Sequence, residues 1–120
     1  MALAPGTSCH HRLVRSTLIE EGMAALREGD TTAARRAFEL ALADGVSGAV
    51  LEGLAEAQYL EREYSASATG YERAYAAYRG EGHTMAAGRA ARTAAWITGN
   101  VLGDWAVRSG WLARARRLLE

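Results

Sequence analysis

Apolar side chains recur along this chain at the three-and-four spacing of helices. Ile19, Met23 and Leu26 share one stripe, and Tyr71, Tyr75 and Tyr78 share another. Glycine followed by aspartate closes one helix and caps the next at Gly29-Asp30 and Gly103-Asp104. Gly45 and Gly80-Glu81-Gly82 are further stops, and Ser47 is a further candidate cap. Between these signals the pattern predicts six helices, at 9–28, 31–44, 48–62, 65–79, 83–102 and 105–119, with residues 1–8 as a flexible tail and 9–120 as one domain.

The helices are related to one another. Leu18, Gly22, Ala34, Phe38 and Ala41 are echoed 33 residues later by Leu51, Ala55, Ser67, Tyr71 and Ala74. A period of this length signals stacked helical hairpins. A small residue in the first helix (Gly22, Ala55) admits the second, whose own small residue (Ala34, Ser67) receives it. The aromatic four positions on (Phe38, Tyr71) then fills the gap to the next hairpin. Gly88 can take the same small position in a third unit, whose turn at Gly103-Asp104 comes about two helical turns late and so lengthens its first helix.

Composition narrows the chemistry. The 120 residues hold 26 alanines, 14 acidic residues and 14 arginines, with no lysine. Charge balance gives no general attraction to nucleic acid or an anionic membrane. The missing lysine excludes a Walker-type phosphate loop and Schiff-base chemistry. Cys9 is the only cysteine, so no disulfide or multi-thiolate metal site forms within one chain. Cys9, His10 and His11 are consecutive, and neighbours on a helix point about 100° apart, so they read as tail residues rather than ligands. His83 reads as a turn residue. No nucleophile elbow or carboxylate pair in an apolar pocket emerges, and neither an enzyme nor a cofactor is expected. No signal peptide or membrane-length apolar run is seen, which implies a cytoplasmic location.

These small, aromatic and alanine positions resemble the tetratricopeptide repeat over roughly residues 14–119. Glu21 stands where that family usually has leucine, and Val46 and Arg79 stand where proline is usual. The closing run Gly110-Trp111-Leu112-Ala113-Arg114-Ala115-Arg116-Arg117-Leu118-Leu119 is similar to repeats of the large LuxR-type transcriptional regulators of high-GC bacteria. The resemblance implies an all-α, right-handed superhelix of three antiparallel hairpins and a regulatory, non-catalytic protein-interaction role. It does not bring the ATPase or DNA-binding parts of such regulators with it. The family's carboxylate clamp needs lysines and asparagines; here there is no lysine and only Asn100.

In such an array the first helices line the concave face. The repeat phase places Ser16, Ile19, Met23 and Leu26 there from the first unit, and Glu52, Glu56 and Tyr59 from the second. The third adds Met85, Arg89, Arg92 and Trp96. This groove, apolar at one end, acidic in its middle and basic with an aromatic at the other, suits a partner peptide. The alternative is that Glu52, Glu56, Arg89 and Arg92 pair with each other and only solvate the surface. Trp96, Trp105 and Trp111 read as packing residues; an apolar cavity bordered by Trp96, Trp105 and Tyr75 would favour a small-molecule inducer sensor. Arg114, Arg116 and Arg117 complement a helix dipole rather than bind nucleic acid. The sequence stops at Glu120, so the last helix is expected to expose Trp111, Leu112, Ala115 and Leu118. That stripe would join two copies, as a structural dimer, or meet a continuation of the chain.

Overall fold

The computed structural model describes residues 5–120, and side chains from Arg12 onward. They form six helices: α1 Pro5–Arg27, α2 Thr31–Asp44, α3 Gly48–Leu60, α4 Tyr64–Glu81, α5 Thr84–Trp96 and α6 Trp105–Leu119. There is no strand among the described residues. Helix α1 starts four residues before its expected boundary. Of the expected tail, residues 5–8 are therefore helical, and residues 1–4 lie outside the described residues.

Local chemistry accounts for the boundaries. The carboxylates of Asp30 and Asp104 accept the N–H of Ala33 and Val107 at 3.0 and 3.1 Å, and the Ser47 hydroxyl accepts that of Val50 at 3.3 Å. Helices α1, α3 and α4 end in the same left-handed cap, with the N–H of Asp30, Glu63 and His83 reaching back to Ala25, Gln58 and Tyr78. Glycine occupies the left-handed position at Gly29 and Gly82, but Arg62 takes it after α3 with φ 65°. Arg62 lies 33 residues after Gly29, so the repeat keeps the backbone turn while losing the residue that favours it.

Consecutive helices pack on one another throughout, and neighbours run antiparallel. The result is a row of hairpins 51 × 31 × 22 Å. Phe38 is wholly buried, its ring seated against Gly22 of α1 and Gly53 of α3, where no Cβ fits. Ala25, Ala34, Ala41, Val50 and Ala57 complete that core. A second core surrounds Tyr71 and Tyr78, with Leu51, Ala55, Ala87, Ala94 and Ile97. Its seam is the buried Ser67, whose hydroxyl donates to the Ala55 carbonyl at 2.7 Å. Hairpins one and two are also clipped by Arg35, which meets Glu61 at 2.8 Å and Glu63 at 2.9 Å. These carboxylates hold the guanidinium pKa above its usual range.

The third unit departs as its late turn suggested. Helix α5 continues into a π-helical turn, Ile97–Val101, in which Leu102 N–H reaches the Ile97 carbonyl at 2.9 Å. Arg108 of α6 lies across Gly99 of that turn, and Leu119 lies against Gly88. Gly88 thus receives the second helix of its hairpin, as its repeat phase implied.

Candidate functional site

The stripes of α1, α3 and α5 that share the repeat phase line three adjoining cavities. The first, about 530 Å³, is lined by Met23, Leu26, Glu52, Glu56 and Tyr78 among others. The second, about 480 Å³, has Glu56, Tyr59, Tyr71, Arg92, Thr93 and Trp96 in its wall. The third, about 560 Å³, takes Tyr78, His83, Met85 and Arg89. Glu56 belongs to the first and second, and Tyr78 to the first and third. All eight groove residues named from the sequence (Met23, Leu26, Glu52, Glu56, Tyr59, Arg89, Arg92 and Trp96) therefore line this series of cavities, a trough whose members share wall residues. Ser16 and Ile19 do not line these cavities, and Ile19 packs partly against the first core.

Large apolar groups stand open along it: Met23 and Trp96 are each 50% exposed. Trp96 meets Tyr59 edge-on, ring centroids 6.2 Å apart at 65°, and Tyr59 meets Tyr64 in the same way at 5.3 Å. Among the described residues no ion pair joins Glu52, Glu56, Arg89 and Arg92, which corrects the alternative in which these four pair with each other. Glu52 instead accepts a hydrogen bond from the Tyr78 hydroxyl at 3.1 Å. Burial pushes its carboxyl above the usual range, with the negative Glu56 adding to the rise. The Tyr78 bond and the charge of Arg89 oppose it.

The trough has a floor that sequence reasoning assigned only to packing. Tyr71 is 7% exposed yet lines the second cavity, and its hydroxyl makes no hydrogen bond among the described residues. Burial, then the charges of Glu56 and Glu52, raise its pKa well above that of an ordinary tyrosine. The repeat phase located this residue correctly; nothing in the sequence indicated that its polar end opens into the trough.

Two tryptophans depart from the packing role expected of all three. Trp96 and Trp105 are exposed, Trp105 lying beneath the Arg108 guanidinium at 5.2 Å. Only Trp111 packs between helices, donating from Nε1 to Glu72 at 3.0 Å and meeting Tyr75 edge-on at 5.1 Å. Tyr75 and Trp105 are not in the wall of the Trp96 cavity, so the three do not border one chamber. The C-terminal stripe is also corrected. Ala115 is buried, and Trp111 and Leu118 pack against the second core, while Leu112 is half-buried. The stripe faces inward because α6 is the closing helix of its own hairpin and covers α5 with these residues.

The side chains of Cys9, His10 and His11 lie outside the described residues. Elsewhere no group of three histidine, cysteine or acidic side chains is placed to hold a metal ion. His83 stands 4.0 Å from Glu81 in the turn before α5. No described helix is long and apolar enough to cross a membrane. No protein-family model matches the chain, and no curated protein or solved structure does.

Proposed function

We propose that this chain is a non-catalytic interaction module of the tetratricopeptide type, its hairpins set in a right-handed array, and that a partner segment lies along the trough. The resemblance to the repeat region of LuxR-type regulators makes a regulatory setting the natural one. One observation carries the reading: α1, α3 and α5, related by the sequence repeat, supply Met23, Glu52, Glu56, Tyr59 and Trp96 to one trough. Its carboxylates and arginines are not spent on each other. Exposed apolar anchors then give affinity, and the separated charges set orientation.

The test uses peptides selected from a random display library on the full chain. Glu56→Arg and Trp96→Ala are expected to weaken the selected peptides at least about tenfold while leaving the helical circular dichroism unchanged. Melting of the fold by Trp96→Ala would place that residue in the core and overturn its assignment. A small-molecule sensor is the second reading. It is supported by the aromatic wall of the 480 Å³ cavity, and compounds that raise the melting temperature only when Trp96 is intact would favour it.

A further inference from the structure

Deepening that reading, we infer that the cavity between α3, α4 and α5 receives an arginine side chain of the partner, stacked on Trp96 and Tyr59, with Glu56 and the Tyr71 hydroxyl as acceptors. The inference rests on the partner-binding reading above and names the chemistry of the partner.

Four observations converge on a guanidinium. First, the floor is polar and unoccupied by protein donors: Tyr71, its ring packed in the second core, lines the cavity and makes no hydrogen bond among the described residues. A hydroxyl oxygen that opens into the cavity with no protein partner is available to accept from a ligand donor. Second, the field at that floor is negative. Glu56 stands in the same wall as Tyr71, and its charge and then that of Glu52 act on the Tyr71 hydroxyl. Third, Glu56 has no ion-pair partner, leaving both carboxylate oxygens available to a fork of N–H donors. Fourth, the walls are aromatic: Tyr59 and Trp96 open at 65° to each other, and Trp96 is half-exposed. A planar, weakly hydrated guanidinium stacks on such faces better than an ammonium does.

Arg92 lies in the same wall and sets the neighbouring requirement. A bare cation would be repelled by it, whereas a segment carrying a carboxylate beside its arginine satisfies both walls. The occupant is therefore a peptide segment with an arginine and an adjacent acidic residue, its apolar part reaching Met23.

The experiment pans a random-peptide phage library on the full chain and measures selected peptides by fluorescence anisotropy. Selected peptides are expected to share an arginine. Replacing it with citrulline should weaken binding roughly tenfold or more, and replacing it with lysine by several-fold. Glu56→Gln is expected to erase most of the citrulline effect, and Tyr71→Phe to weaken binding several-fold, both with unchanged circular dichroism. Peptides that lose binding on Trp96→Ala but need no arginine would overturn this inference while leaving the trough as a partner site. Equal binding of arginine and citrulline peptides would do the same. No enriched peptide, or binding indifferent to Trp96→Ala, Glu56→Arg and Met23→Glu alike, would overturn both.

Discussion

Substituting Gly53 by alanine tests whether the first two hairpins meet as described. In an open helix this change gains stability, because glycine is about 1 kcal/mol less favourable than alanine. At Gly53 the new methyl would overlap the Phe38 ring, lying 2.7 Å from Cε2 and nearer still to Cζ and Cε1. The ring has no room to withdraw: it is wholly buried, and the Cβ position of Gly22 on α1 stands 2.6 Å from its Cζ. Overpacking of a tight core costs about 1–3 kcal/mol. The net expectation for Gly53→Ala is thus no gain and a loss of up to about 2 kcal/mol, each kcal/mol lowering the melting temperature by about 3–6 °C. Gly80 supplies the control. It is exposed near the end of α4, with nothing within 4 Å of its Cβ position, so Gly80→Ala should stabilise by up to about 0.5 kcal/mol. Thermal and urea unfolding followed by circular dichroism would read both. Adding Phe38→Leu to Gly53→Ala should cost less than Phe38→Leu alone, since the smaller side chain leaves room for the methyl. A Gly53→Ala variant as stable as Gly80→Ala would refute the contact, and with it the seating of α3 on α2.

Other consequences are accessible to the same measurements. Arg62→Gly should raise stability by roughly 0.5–1 kcal/mol by relieving the left-handed conformation after α3, and Asp30→Ala should lower it by about 1 kcal/mol through loss of the α2 cap. Glu52 has a folded pKa raised chiefly by burial, so it favours the folded state at acidic pH, and that contribution is lost as pH rises through its folded value. Glu52→Gln should therefore be more stable than the parent at neutral pH, an advantage that disappears near about pH 4; a pH-independent difference would contradict the assignment. With Trp111, Ala115 and Leu118 turned inward, light scattering should report a monomer, and a dimer abolished by Leu112→Arg would return the C-terminal stripe to the surface.

The sequence carried the helices because their ends are written in local chemistry. Asp30, Ser47 and Asp104 cap, and Gly29, Gly82 and Gly103 turn, whatever the rest of the chain does. The repeat phase carried most of the trough: Met23, Glu56 and Arg89, each one period apart, all line it, whereas Ile19, in phase with Glu52 and Met85, turns to the first core. What it could not carry depends on contacts between distant residues. Arg62 has no composition that announces a left-handed turn, and the π-helical turn at Ile97–Val101 is met across Gly99 by Arg108 from another helix. The exposure of Trp96 and the inward face of Trp111 reflect which side of a helix its neighbours cover, which a stripe of apolar residues leaves open. Gly53 resembles any helix-interior glycine until Phe38 is seen against it.

Nuclear magnetic resonance of the three tryptophan indoles during titration with a library-selected peptide decides whether the trough is the binding face. With the peptide in the trough, the Trp96 indole shifts together with Met23 and Glu56 while the signals of Trp105 and Trp111 stay in place. Shifts confined to Trp105, Trp111 or the opposite cavity around Gln58 and Thr69, with Trp96 unmoved, would contradict it.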